Sequence, residues 1–212
     1  MNFRSEGILE NGGKIYTETM QRTPLYGEDI IRVRGKLYRE WDPKRSKLSA
    51  AIRKNLRHFP INVNSSLLYL GASTGTTVSH VSDICKNGRI TAVEKAYEPF
   101  SKLLRLSESR ANIFPILEDA LKVEKYGHFI DKPEVLYQDI AQRNQAQIFN
   151  TVSSSFKSIE AGILIIKVRA VTSRKGNEEV LKNQLEIIEN YKVKELVDLT
   201  PYSIANYLAV LS

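Results

Sequence analysis

Cysteine and histidine are nearly missing from this chain, and their scarcity removes whole classes of chemistry. Cys85 is the single cysteine in 212 residues, which excludes an internal disulfide and any multi-cysteine zinc site. The three histidines, His58, His80 and His128, are scattered without metal-ligand spacing, so metal chemistry is not expected. Long hydrophobic runs are missing as well. Stretches such as Gly162 to Ile166 are strand-sized, far short of the roughly 20 apolar residues of a membrane span. Met1 to Glu10 mixes Arg4 and Glu6 with little apolar continuity, unlike a secretory signal. The expectation is a soluble cytoplasmic protein with no membrane contact. There is no internal repeat and no low-complexity tail.

What is present is enough for one substantial core and a small appended unit: 42% of residues are hydrophobic and 26% charged. Lys and Arg number 31 against 24 Asp and Glu, a formal charge of +7. That balance favours polyanionic partners without singling one out.

From Glu6 to Glu40, short strand-like stretches are broken by turn residues. Glu6 to Leu9 and Lys14 to Met20 flank Asn11-Gly12-Gly13, and Ile30 to Val33 and Lys36 to Glu40 flank Arg34-Gly35. Both read as β-hairpins. The pattern gives an N-terminal β-rich domain over residues 1–55, too small to be stable alone, that leads into a basic helix. Arg45 to Arg57 is that helix, with Leu48, Ala51, Ile52 and Leu56 on one face and basic residues on the other.

Over residues 56–212 the character changes. Apolar runs at Leu67 to Leu70, Ile90 to Val93, Ile113 to Leu117, Val135 to Tyr137 and Ile163 to Val168 alternate with amphipathic stretches. These predict helices over Thr76 to Lys86, Tyr97 to Arg110, Asn144 to Lys157 and Asn177 to Tyr191. Such alternation predicts an α/β domain, a parallel sheet with helices on both faces. Val193 to Leu199 and Ile204 to Leu211 close the chain as an antiparallel pair around Thr200-Pro201-Tyr202.

In open α/β sheets, ligands bind beyond the carboxyl ends of the strands, so the residues that follow each strand carry the chemistry. The first strand runs into Gly71-Ala72-Ser73-Thr74-Gly75-Thr76-Thr77, a glycine-rich turn before a helix that lets a ligand approach the backbone. Glu94 ends the second strand, 19 residues beyond Gly75, near the spacing at which an acidic side chain accepts from ribose hydroxyls. That spacing fits NAD and S-adenosylmethionine alike. Two details favour the methyl donor. The turn is Gly-x-x-x-Gly, so Ser73 stands where pyrophosphate approach usually needs glycine. Asp119-Ala120 follows the third strand, where a carboxylate can hold an adenine amino group or, equally, cap the next helix. Lys167 ends an otherwise apolar strand and needs a partner. Asp139 is the natural one and Lys47 a second cation within reach, as a catalytic set or as a structural ion pair at the sheet edge. Arg34, Lys36, Arg39, Lys44, Arg45, Arg53 and Lys54 cluster ahead of the sheet as candidates to face phosphates, with Arg45, Arg53 and Lys54 foremost, or simply as solvated charge.

Three stretches resemble the fibrillarin family in its short archaeal form: Tyr38 to Leu48, Leu68 to Val81 and Tyr137 to Gln142. The Gly-Ala-Ser-Thr-Gly-Thr-Thr-Val-Ser-His and Gln-Asp-Ile-Ala-Gln runs within them are far more specific than a generic glycine turn. The resemblance implies a class I S-adenosylmethionine-dependent methyltransferase, with a Rossmann-like, seven-stranded, mostly parallel sheet and a small N-terminal hairpin domain. It implies methylation of ribose 2′-oxygens of rRNA and tRNA, with targets chosen by a C/D box guide RNA. A Nop-domain scaffold protein and a kink-turn-binding ribosomal-type protein are the implied partners. The donor-binding residues it suggests are Gly71, Ala72, Ser73, Gly75, Thr76, Thr77, Glu94, Asp119, Ala120, Asp139 and Gln142. The family's Lys-Asp-Lys-His set carries over to Lys47, Asp139 and Lys167. Its fourth position departs, since Ala205-Asn206 stands where the family tends to have Asp-His, and Arg143 stands where it often has proline. Two other function classes remain open: a structural subunit that has lost catalysis, favoured by Asn206, and a nicotinamide-dependent oxidoreductase, which shares the sheet and Glu94.

Overall fold

Two glycine-bearing turns shape the start of the chain. Gly12 and Gly13 have φ of 57° and 77°, and Arg34 and Gly35 have 49° and 81°. Paired positive φ is the backbone of the tight turn whose twist matches a β-hairpin. The strands they join are β1 (Asn2–Ser5), β2 (Ile8–Asn11), β3 (Lys14–Thr19), β4 (Ile30–Val33) and β5 (Lys36–Glu40), an antiparallel sheet of order β1-β2-β3-β5-β4. The structure is a computed structural model that describes residues 2–5, 7–172 and 176–212. Two expected element ends, Glu6 and Met1, lie outside the described residues.

Helix α1 (Lys47–Arg53) is shorter than the stretch Arg45 to Arg57. It starts after Ser46, whose Oγ accepts the Ser49 N–H at 3.4 Å. It stops where Asn55 turns left-handed at φ 67° and the Leu56 N–H reaches back to the Ala51 carbonyl. Those are the usual N-cap and left-handed C-terminal devices.

The second sheet is built from β6 (Ser66–Leu70), α2 (Thr76–Ile84), β7 (Arg89–Glu94), α3 (Tyr97–Glu108), β8 (Ile113–Leu117), α4 (Val123–Tyr126), β9 (Val135–Gln138), α5 (Gln145–Ser154), β10 (Ala161–Lys167), α6 (Val168–Val171), α7 (Asn177–Ile187), β11 (Val193–Asp198) and β12 (Asn206–Leu211). Its order is β11-β12-β10-β9-β6-β7-β8. The strands from β10 to β8 pair in parallel, and β12 runs antiparallel to both its neighbours. This is the mostly parallel, seven-stranded α/β sheet expected. Strand order reverses between β6 and β9, which opens a crevice past their carboxyl ends. The helices end two to four residues earlier than expected, and β12 starts at Asn206 because Ala205 takes φ 57°. Strand β1 and the one-turn helices α4 and α6 carry too little periodicity to be anticipated.

The two sheets share a core. Ile8, Ile15 and Trp41 from the N-terminal part pack in one cluster with Leu48 of α1, Val78 and Val81 of α2, and Tyr69 of β6. A buried polar network crosses the same junction. Arg39, with no exposed surface, pairs with Asp83 Oδ2 and Glu28 Oε1, each at 2.8 Å, and Asp83 Oδ1 pairs with Arg110 at 2.7 Å. This corrects the placement of Arg39 among the phosphate-facing residues: it is a buried structural cation. His80 stacks on Trp41 at 4.9 Å between ring centres and lies 2.9 Å from Thr17 Oγ1. Burial, reinforced by Arg39 and Arg110 nearby, holds its imidazole well below the usual value of 6.5. Cys85 is buried, and burial pushes its thiol up to about 12. Among the described residues no helix is long and apolar enough to cross a membrane.

Candidate active site

The turn after β6 is pressed against the end of β9. Gly71 takes φ +78°, and a Cβ there would stand 2.6 Å from the Asp139 carbonyl oxygen. Only glycine satisfies both the backbone angle and the approach. The Gly71 and Ala72 N–H groups donate to the Val93 carbonyl at 2.9 and 3.1 Å, tying the turn to β7. At the end of β7, Glu94 Oε2 accepts the Ser73 N–H and Oε1 accepts the Ala96 N–H, both at 2.8 Å. The carboxylate is thereby fixed, while each oxygen keeps acceptor capacity.

These groups border a cleft of about 220 Å³. Gly71, Ser73, Glu94, Asp119, Ala120, Asp139, Gln142 and Lys167 are among the residues that line it. Lys95, which sequence reasoning missed, also lines it, with Nζ 4.0 Å from Asp119 Oδ2. Asp119 Oδ1 accepts the Leu121 N–H at 3.0 Å in a local turn, and the cap position of α4 falls to Lys122. Four of the donor-binding residues expected in the glycine turn stand outside the cleft lining. Ala72 is buried, and Gly75 (φ +85°) packs where a Cβ would meet Leu106 at 2.6 Å. Thr76 borders a separate cavity with Trp41 and Arg45. Thr77 Oγ1 lies 2.9 Å from Ser46 Oγ, the cap of α1.

Asp139 bridges two lysines from distant parts of the chain. Lys47 Nζ donates to its Oδ2 at 2.9 Å, and Lys167 Nζ stands 2.7 Å from its Oδ1 and 3.0 Å from its main-chain carbonyl. Lys47 is the first residue of α1, Asp139 follows β9 and Lys167 ends β10. The lysine side chains are 25% and 20% exposed and the aspartate 13%. The set is thus paired yet open to a substrate, with one positive charge in excess. Such a surplus favours an oxygen that gains negative charge. Asn206 lies directly opposite Lys167 on β12, and its Nδ2 donates to Ser203 Oγ at 2.7 Å. In antiparallel strands opposed residues share a face, so Asn206 lies on the same face of the sheet as Lys167.

The foremost basic candidates all have internal partners. Arg45 donates to the Tyr26 carbonyl at 2.8 Å and sits over its ring at 5.3 Å. Arg53 contacts Glu10 at 3.4 Å, and Lys54 donates to the Thr200 carbonyl at 2.8 Å. Arg45 and Lys54 are exposed all the same.

The family model described as Fibrillarin matches residues 7–212. The chain is 51% identical to the fibrillarin-like rRNA/tRNA 2′-O-methyltransferase of Picrophilus torridus, with 96% of each chain covered. It is also 51% identical to that of Thermoplasma acidophilum, over 97% of this chain and 89% of the relative. Among solved structures, a fibrillarin/Nop5p complex is similar at a TM-score of 0.90, with 36% identity and 97% of both chains covered. Aeropyrum pernix fibrillarin with natively bound S-adenosyl-L-methionine is similar at 0.85, with 35% identity over 94% of this chain and 89% of that one. A match of this extent has one meaning: the chain belongs to the fibrillarin family.

Proposed function

We propose that this chain methylates ribose 2′-hydroxyls of rRNA and tRNA from S-adenosylmethionine, as the catalytic subunit of a C/D box ribonucleoprotein. The observation that carries this reading is Asp139 held between Lys47 and Lys167, with Asp139 and Lys167 lining the cleft. The relatives' names and the natively bound donor in the Aeropyrum protein support it.

The cleft residues fit that donor. Glu94 keeps acceptor capacity for a pair of ribose hydroxyls, Asp119 with Ala120 suits an adenine amino group, and Gly71 leaves room beside Asp139. Ser73, Gln142 and Asp139 complete the cleft-lining set, while Ala72, Gly75, Thr76 and Thr77 shape the turn. When bound, S-adenosylmethionine supplies a methyl group on a positively charged sulfur. The chain's own residues do the rest, chiefly by positioning. Lys167 Nζ stands nearest the attacking hydroxyl and takes its proton after releasing one of its own to solvent, so the set regains its positive excess as charge develops on the oxygen. Asp139 orients Lys167 and the substrate, and Lys47 adds positive potential toward the oxygen as charge develops.

Target choice falls to a C/D box guide RNA, with a Nop-domain scaffold protein and a kink-turn-binding ribosomal-type protein as partners, in the cytoplasm. The fibrillarin/Nop5p complex supports the scaffold. Arg45, Arg53 and Lys54 serve as RNA contacts alongside their internal bonds, so replacing Arg45 and Arg53 together should flatten the salt dependence of RNA association. A structural subunit without catalysis is the weaker reading, because Asn206 leaves the Lys47, Asp139 and Lys167 contacts in place.

Reconstitution tests the proposal. Label from the donor should reach one guide-specified ribose only when the chain, scaffold, kink-turn protein and guide are all present. Equal, unselective labelling by the chain alone would overturn the assignment of target choice to the particle.

A further inference from the structure

Strand β10 outruns its neighbour. Pairing with β9 ends at Leu164 opposite Gln138, yet β10 continues to Lys167. On the other side, the Val168 N–H reaches the Ala205 carbonyl at 3.1 Å. Because successive residues of a strand alternate their hydrogen-bonding direction, the N–H and C=O of Lys167 face the side that β9 has vacated. A side chain fills that place. Gln145 Oε1 accepts the Lys167 N–H at 2.9 Å, and Gln145 Nε2 donates to the Lys167 carbonyl at 3.1 Å. One primary amide therefore makes both bonds that a neighbouring strand would have made.

Gln145 is itself fixed. It is the first residue of α5, fully buried, and its own carbonyl accepts the side-chain N–H of Gln138 at 2.7 Å. Gln138 is fully buried too and directly precedes Asp139. The clamp thus joins the backbones that carry Asp139 and Lys167, the two partners of the 2.7 Å ion pair.

We infer that Gln145 is a positioning residue for the methyl-transfer site, its amide replacing a missing strand to hold the Lys167 backbone in register with Asp139. The inference rests on the catalytic reading of Lys167 given above. An extended strand end with unpaired backbone would let the lysine sample other positions, and displacement of a reacting group by about 1 Å costs on the order of 100-fold in rate.

Gln145→Met keeps length and packing and removes both bonds; Gln145→Glu keeps the acceptor and loses the donor unless its carboxyl is protonated. With the assembled particle, the expected result is a fall in kcat of roughly 10- to 100-fold for both near neutral pH, with donor affinity little changed and the melting temperature lowered because Lys167 backbone groups lose their partner. The ratio of Gln145→Glu to native turnover should climb as pH falls, because a neutral carboxylic acid again donates to the Lys167 carbonyl and accepts its N–H. Gln145→Met should show no such climb. A ratio that stays flat with pH, or native turnover in Gln145→Met, would overturn the inference. A second readout stands apart from catalysis: amide hydrogen exchange. In Gln145→Met the Lys167 amide should lose protection while the Val168 amide keeps it; unchanged protection at Lys167 removes the clamp whatever the activity. If the native particle transfers no methyl group but the exchange result holds, the catalytic reading fails and the clamp survives as architecture.

Discussion

Ser46 Oγ lies 2.9 Å from Thr77 Oγ1, so the cap of the helix that begins with Lys47 is fastened to the helix that begins at the glycine turn. Both hydroxyls are buried. Ser46→Ala removes the cap and strands a buried hydroxyl on Thr77. The expected cost is about 1–3 kcal/mol in denaturant unfolding, accompanied by slower methyl transfer as Lys47 loses its anchor. Thr77→Val should share the kinetic effect through the same lost bond.

At Gly71, Ala should be poorly tolerated, for it combines a left-handed backbone with a Cβ 2.6 Å from the Asp139 carbonyl. Thermal and denaturant unfolding should show a loss of about 2–3 kcal/mol. Donor affinity should fall too, since the turn that borders the cleft must shift. Gly12→Ala makes the comparison: its Cβ would meet nothing within 4 Å, so strain alone acts there.

Lys167→Met keeps the length of the side chain and removes its charge. Turnover should drop by about 100-fold or more, with donor affinity largely retained, as calorimetric titration with S-adenosylmethionine would register. An equal loss of both would place Lys167 in donor binding and leave the proton without its acceptor.

The Arg39 network is expected to dominate the junction between the two sheets. Arg39→Met leaves Asp83 and Glu28 without their shared guanidinium, and a buried pair broken on one side costs about 3–5 kcal/mol. His80 gives the same region a pH dependence. Its folded value is depressed, so the unfolded chain takes up the proton first as pH falls. Its stabilising contribution is complete above 6.5 and is lost as pH drops from there toward the folded value. The unfolding free energy should slope by up to about 1.4 kcal/mol per pH unit across that window. His80→Gln should flatten the slope.

The parallel sheet and its carboxyl-end residues were legible because apolar runs of strand length alternate with amphipathic stretches, and because small or polar residues follow each run. The hairpins announced themselves through Asn11-Gly12-Gly13 and Arg34-Gly35, and Gly12, Gly13, Arg34 and Gly35 are left-handed as such turns demand. Other features left no local trace. Arg39 reads as surface charge because its counter-ions come from Glu28 and Asp83, 11 and 44 residues away. Gln145 is an ordinary polar residue at a helix start until β9 is seen to stop short of β10. Helix α1 ends early because Asn55 turns left-handed, a choice that apolar spacing cannot register.

The most direct measurement is label transfer from S-adenosylmethionine to a guide-paired RNA in the reconstituted particle, set against a matched target with 2′-deoxyribose at the specified position. Label is expected on the ribose target and none on the deoxyribose one. Label on both would contradict ribose 2′-oxygen as the acceptor, and label on neither, with donor binding and assembly intact, would contradict catalysis by Lys47, Asp139 and Lys167.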